Sequence, residues 1–250
     1  EAVLISLTAM QWATLMGSAL LLGVTKTGLP GLGPVVAPMM AAAFPVRASV
    51  AIVLPLLVVA DVVAIIVFRR HVVRSYLMRL VPSALIGIIV GTVLLQLIDD
   101  AQLQLLIAVI VVGTVVAGVV TSRRRLAPER AAAVAIAGNS ECSLGDSRSQ
   151  ISGSRNAIAI ALGVLAGATS MVSNASGPIL TAYLLAMRLP KNEFMGTGAW
   201  YYFILNLLKV PFHIAIGTMT GATLTLNAVA ASAVLIGAAV GVIIVRRLPE

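Results

Sequence analysis

Apolar residues run along this chain in long continuous blocks, separated by short polar turns. The blocks fall at 6–24, 34–44, 48–68, 78–97, 102–121, 156–172, 177–187, 194–216 and 222–245. The longer ones approach the ~20 residues that a helix needs to cross a bilayer. They are continuous rather than alternating, so the pattern predicts helices and not the strands of a membrane barrel. Blocks 34–44 and 177–187 are too short to span alone. Each is expected to be a half-helix or one arm of a re-entrant hairpin with the block before it, and the pattern leaves both forms open.

The stretch from Gly23 to Pro38 separates the first two blocks and carries four glycines, three prolines and Lys26. Glycine frees φ and proline removes a donor, so no unbroken helix is expected through it. A related break runs from Gly167 to Pro178. Gly23, Thr25, Gly33 and Pro34 match Gly167, Thr169, Gly177 and Pro178 at one offset of 144 residues. Later, Gly87 and Gly91 match Gly237 and Gly241 at an offset of 150 and are read as packing glycines. Broken hydrophobic segments at corresponding places in two halves point to a transporter binding site.

Composition agrees with a bilayer as solvent. The chain is 60% hydrophobic and 10% charged, with a mean hydropathy of +1.05; a soluble domain carries about 25% charged residues. The net charge of +8 lies mostly in loops, which is the pattern that orients membrane proteins and not a nucleic-acid footprint. Arg69, Arg70, Arg74 and Arg79 place the 69–79 loop in the cytoplasm. The 122–155 loop, with Arg123-Arg124-Arg125, Arg130, Arg148 and Arg155, belongs there too, as does the C-terminus at Arg246-Arg247. Asp99-Asp100 and Arg47 fall outside.

On this count the halves have opposite orientation. The expected fold is an all-α polytopic membrane protein of two inverted repeats, with broken or re-entrant helices at the substrate site. Residues 1–97 form the first repeat, 98–121 a linker transmembrane helix, 122–155 a cytoplasmic loop and 156–250 the second repeat. The first residue is Glu1 rather than Met, so the native start is expected upstream, and no cleavable signal is read.

Candidate chemistry gathers at the breaks. Lys26 is a cation near membrane depth, where such a charge costs about 2.5–3.5 kcal/mol, and it is read as an anion ligand. Thr25, Gly28 and Gly33 accompany it. Thr169, Ser170, Ser173, Asn174, Ser176 and Gly177 add donors at the second break. The half-helices starting near Gly33 and Gly177 would aim free N–H groups inward, which favours anions. Asp61 sits mid-span and is expected to pair with Lys26 or to carry a coupling proton. Its counterpart is near Asn206, which shares a helix face with Lys209; both are read as substrate-binding, with snorkelling to an interface the alternative for Lys209.

Other residues are read as structural. Trp200, Tyr201 and Tyr202 either line the path or form an interfacial belt, and the belt is the expected form. His71 and His213 are taken as solvated, and Cys142 is given no function. The chain shows no metal-ligand cluster, GxSxG, HExxH or Walker loop, so neither an enzyme nor ATP-driven transport is expected, and no cofactor. The expected partners are a small anionic solute and the lipid bilayer, with a homodimer allowed and nucleic acid excluded.

The chain resembles the TauE/SafE family of sulfite and organosulfonate exporters. The resemblance rests on the run from Gly23 to Gly33 with Pro38, on Leu54 to Asp61 followed by Arg69-Arg70, and on Pro82 with Gly87 and Gly91. In the second half it rests on Asn174-Ala-Ser-Gly177-Pro178, Lys191 to Thr197, and Asn206-Leu-Leu-Lys209. It implies a permease of the bacterial inner membrane that moves sulfite, sulfoacetate or taurine-derived sulfonates, usually outward. The alternatives are a permease or importer for another small anion such as a carboxylate, and a non-transporting membrane scaffold.

Overall fold

A computed structural model describes residues 7–28, 33–113, 116, 150–174, 176–187 and 189–247. Among them the secondary structure is helical, with no strand. Helix α1 (Ala9–Thr27) opens on a capping box in which Thr8 and Gln11 satisfy each other's backbone N–H groups. It stops at Gly28. A 3-10 turn (Gly33–Val35) then leads into the short α2 (Val36–Ala43). Helices α3 (Val46–Phe68) and α4 (Arg74–Leu97) follow, and α5 (Asp100–Gly113) starts on Asp99, whose carboxylate accepts from Gln102 N at 2.8 Å. The second half holds α6 (Gln150–Ser173), α7 (Gly177–Ala186), α8 (Lys191–Ala215) and α9 (Gly221–Arg247).

The helix bounds track the apolar blocks to within a few residues, with two differences. Helix α6 begins at Gln150, so the last residues of the expected 122–155 loop are helical. Arg47 lies in the first turn of α3 rather than in a turn between segments. Cys142, Arg123 to Arg125, Arg130 and Arg148 lie outside the described residues, as does most of the 102–121 block beyond Gly113.

Three described helices are long and apolar enough to cross a membrane: Val46–Phe68, Arg74–Leu97 and Thr223–Arg247. The surface carries apolar side chains such as Ile66, Met78, Ile86, Leu105 and Ile236, all more than half exposed. The interior holds Asp61, Asn206, Lys209 and His213, all nearly inaccessible. A soluble protein partitions these types the other way round. In lipid the exposed apolar face costs nothing, and polar groups turn inward where protein can bond them.

Two backbone-close seams hold the bundle. In the α1–α9 seam, a Cβ on Gly23 would strike the Val234 carbonyl, and one on Gly237 would strike the Leu20 carbonyl. Thr27 Oγ1 lies 3.0 Å from Gly23 O in its own helix and 2.9 Å from Ala238 O across the seam. In the α4–α6 seam, a Cβ on Gly87 would strike the Val164 carbonyl, and one on Gly167 the Ala84 carbonyl. Small residues let helix backbones approach in this way where water supplies no driving force.

The cores do not follow the halves of the chain. One gathers Leu15, Leu22, Met40, Leu56 and Val234 from α1, α2, α3 and α9. The other gathers Leu80, Ile88, Met171, Leu184 and Leu205 from α4, α6, α7 and α8. Helices α3 and α8 cross between them, and the buried polar groups sit at that crossing.

Candidate functional site: a buried charge cluster beside a cavity

Helix α1 ends at Thr27, one residue past Lys26, which places Lys26 in its last turn against α3 and α8. Lys26 Nζ lies 2.7 Å from Asp61 Oδ1. The same ammonium stands 3.8 Å from the centre of the Tyr202 ring, a cation–π contact. Asp61 is fully buried, and its Oδ2 accepts from Asn206 Nδ2 at 2.6 Å. Asp61 and Asn206, expected as counterparts in the two halves, therefore touch across the α3–α8 crossing.

Lys209 lies on the same face of α8 and is also fully buried. Its ammonium donates to Asn174 Oδ1 at 2.7 Å, Ser170 Oγ at 3.0 Å and Ser170 O at 3.2 Å. All three acceptors are neutral, and no carboxylate lies within ion-pair distance of it among the described residues. Counted formally, Lys26 and Lys209 against Asp61 leave one positive charge uncompensated in the interior. An ion taken out of water without a partner costs several kcal/mol.

Asn174 ends α6 in a left-handed conformation, with φ of 54°. Asparagine tolerates that region better than branched residues do. The turn lets its side chain bridge two helices, accepting from Lys209 and donating from Nδ2 to Val50 O of α3 at 3.2 Å. Tyr202 OH donates to Gly177 O at 3.3 Å and so ties α8 to the start of α7.

A cavity of about 910 Å³, open mouth included, adjoins this cluster. Its polar wall is formed by Lys26, Ser173, Asn174, Ser176, Tyr202 and Asn206, and its apolar wall includes Leu22, Val53, Leu57 and Leu180. Gly33 and Gly177, where the 3-10 turn and α7 begin, also line it. It extends toward the start of α8, where Phe194, Met195 and Gly198 flank it. Among the described residues no cluster of His, Cys, Asp or Glu could hold a metal ion.

Of the residues singled out in the sequence, Lys26, Thr25, Gly33, Ser173, Asn174, Ser176, Gly177 and Asn206 line the cavity. Asp61 and Lys209 stand behind that wall, bonded to residues in it. Gly28 and Thr169 are elsewhere. A Cβ on Gly28 would meet Gly241, so it packs against α9, and the Thr169 hydroxyl bonds carbonyls of its own helix, Leu165 and Ala166.

Two other readings need correction, and one alternative falls away. Tyr201 is fully buried and Tyr202 stacks on Lys26, so neither joins an interfacial belt. Lys209 does not snorkel, because Ser170 and Asn174 hold its ammonium inside. His213 is 1% exposed rather than solvated, because Thr218 folds back onto its ring. The i, i+4, i+7, i+11 spacing of Tyr202, Asn206, Lys209 and His213 was the available signal for one polar face on α8.

Inward-turned polar residues, an apolar exterior and a cavity beside a buried cation cluster define a helical membrane transporter. The sequence model of the sulfite exporter TauE/SafE family matches residues 15–250, and the chain belongs to that family. The family is one of membrane transporters of sulfite-type anions, not of enzymes. No curated protein and no solved structure matches the chain.

Proposed function

We propose that this chain is a secondary transporter that exports small sulfur-containing anions, such as sulfite or organosulfonates, across the bacterial inner membrane. The observation that carries the reading is the uncompensated positive charge of Lys26, Lys209 and Asp61 beside the cavity. An anion seated against Lys26, Asn174 and Asn206 would balance that charge. The backbone N–H groups where the 3-10 turn and α7 begin would add donors without further charge.

Alternating access through inverted repeats is supported by the paired seams. The Gly23–Val234 and Gly167–Ala84 approaches correspond under the sequence offsets, as do Gly237–Leu20 and Gly87–Val164. Positive-inside orientation puts the open cavity on the cytoplasmic side. A potential negative inside drives an anion outward by ~2.3 kcal/mol per charge per 100 mV.

The test is flux of sulfite and sulfoacetate in proteoliposomes, with and without a pH gradient. The expected outcome is saturable flux that Lys26→Met abolishes in protein that still elutes as a single species. Asp61→Asn should remove any dependence on the pH gradient, which would assign the coupling proton to Asp61. Folded wild-type protein that moves neither anion but moves a carboxylate would replace the sulfonate reading with the carboxylate one.

A further inference from the structure

A second chamber lies at the other end of α8. Its volume, open mouth included, is about 360 Å³, and it is lined by Arg47 and Val50 of α3, Leu95 and Gln96 of α4, and His213, Ile216 and Thr218. Its basic residues are Arg47, partly exposed and paired with Asp100, and His213, which is buried. His213 is 1% exposed; its Nδ1 meets Thr218 Oγ1 at 2.8 Å, while its Nε2 is buried with no hydrogen-bond partner among the described residues. A buried polar atom without a partner costs free energy comparable to a lost hydrogen bond.

Arg47 gives its Nε to Asp100 Oδ1 at 2.7 Å and one Nη2 hydrogen to Ile98 O. A guanidinium has five N–H groups in a fixed fork, so these two bonds orient it and leave donors over. The chamber is thus small and partly apolar; the charge of its guanidinium is balanced by Asp100, and what it offers a ligand is the N–H groups left over. It is too small for a peptide or a lipid chain, and its size suits a small oxyanion.

The two cavities are separated by one polar layer. Asn174 lines the larger cavity and Val50 lines the smaller, and the two are joined by the Asn174 Nδ2 to Val50 O bond. Lys209 holds the other end of the same amide. On α8 the face runs continuously through both compartments: Tyr202 and Asn206 in the first, Lys209 at the layer, His213 in the second.

The geometry points to the Arg47/His213 chamber as a second oxyanion-binding site on the far side of the Asn174–Lys209 layer. It would receive a sulfonate or sulfite anion that the larger cavity releases. The site rests on the transport reading for its role on a path, and not for its ability to bind an anion.

The two readings separate in one experiment. In a Cys142→Ser background, Ile216→Cys places a thiol on the chamber wall. Its rate of modification by a charged thiosulfonate is measured in proteoliposomes, with and without sulfoacetate, beside sulfoacetate flux. Sulfoacetate is expected to slow modification, both in the otherwise unaltered protein and with Lys26→Met. The sulfoacetate concentration needed should rise about tenfold with Arg47→Gln or with His213→Gln, the effect of one lost hydrogen bond to a charged group.

Having two variants guards against either one failing to fold. No protection at Ile216→Cys, protection unaffected by both variants, or protection lost with Lys26→Met would each overturn the second site. Protection without flux would sustain the site and remove the transport reading. Flux without protection would do the reverse.

Discussion

At the scale of single residues, the site is organised by what each buried charge touches. Asp61 has two partners, Lys26 and Asn206, and both come from helices other than its own. Truncating one member of a buried pair costs about 3–5 kcal/mol, because the other is left charged and unpaired. Lys26→Met is therefore expected to lower thermal stability in detergent. Adding Asp61→Asn to it should recover most of that stability, since the orphan charge is gone, while flux stays absent. A double variant no more stable than Lys26→Met would mean that the pair is not the unit holding α1 to α3.

At the scale of elements, the short helices and the glycine seams have different jobs. Helices α2 and α7 cannot span, and the breaks before them bring Gly33 and Gly177 to the cavity wall. The seams, by contrast, set the distance between long helices. Gly237→Ala and Gly87→Ala each drive a methyl into a carbonyl of the facing helix, and overpacking of this kind costs typically ~1–3 kcal/mol. Gly17, exposed on α1 with open space at its Cβ position, is the control. Its alanine variant should be neutral or slightly stabilising, because alanine is the better helix former. Thermal unfolding of the three variants side by side checks this, and equal effects at Gly17 and Gly237 would refute the seam.

At the scale of the whole molecule, the proposed cytoplasmic side of the basic clusters is open to a direct test. His71 is exposed between α3 and α4, and Ala101 is exposed at the opposite end of α4, at the start of α5. In a chain without Cys142, a cysteine at His71 should react with a membrane-impermeant thiol reagent only from the cytoplasmic side. One at Ala101 should react only from the opposite side. Both reacting from the same side would break the span count, and exchanged sides would put the larger cavity's mouth outside. The exchange of partners between halves also belongs to this scale: α9 closes the core of α1 to α3, and α4 closes that of α6 to α8. Neither half has a complete core without the other.

The sequence by itself determined that the chain is helical and built for lipid, where its helices break, and that Lys26, Asp61, Asn174 and Asn206 were candidates for one neighbourhood. The reason is that these properties are local. Hydrophobic length, glycine and proline at a break, and a charge within an apolar block are read from neighbours along the chain. Tertiary structure alone decided that Asp61 bonds both Lys26 and Asn206, that Lys209 is held by neutral partners, and that Tyr202 stacks on Lys26 instead of lying in a belt. It also decided that Gly28 and Thr169 serve packing and helix geometry, and that His213 is buried. Those outcomes depend on which helix faces which across the α3–α8 crossing. A periodicity gives the face of one helix but not the residue opposite it.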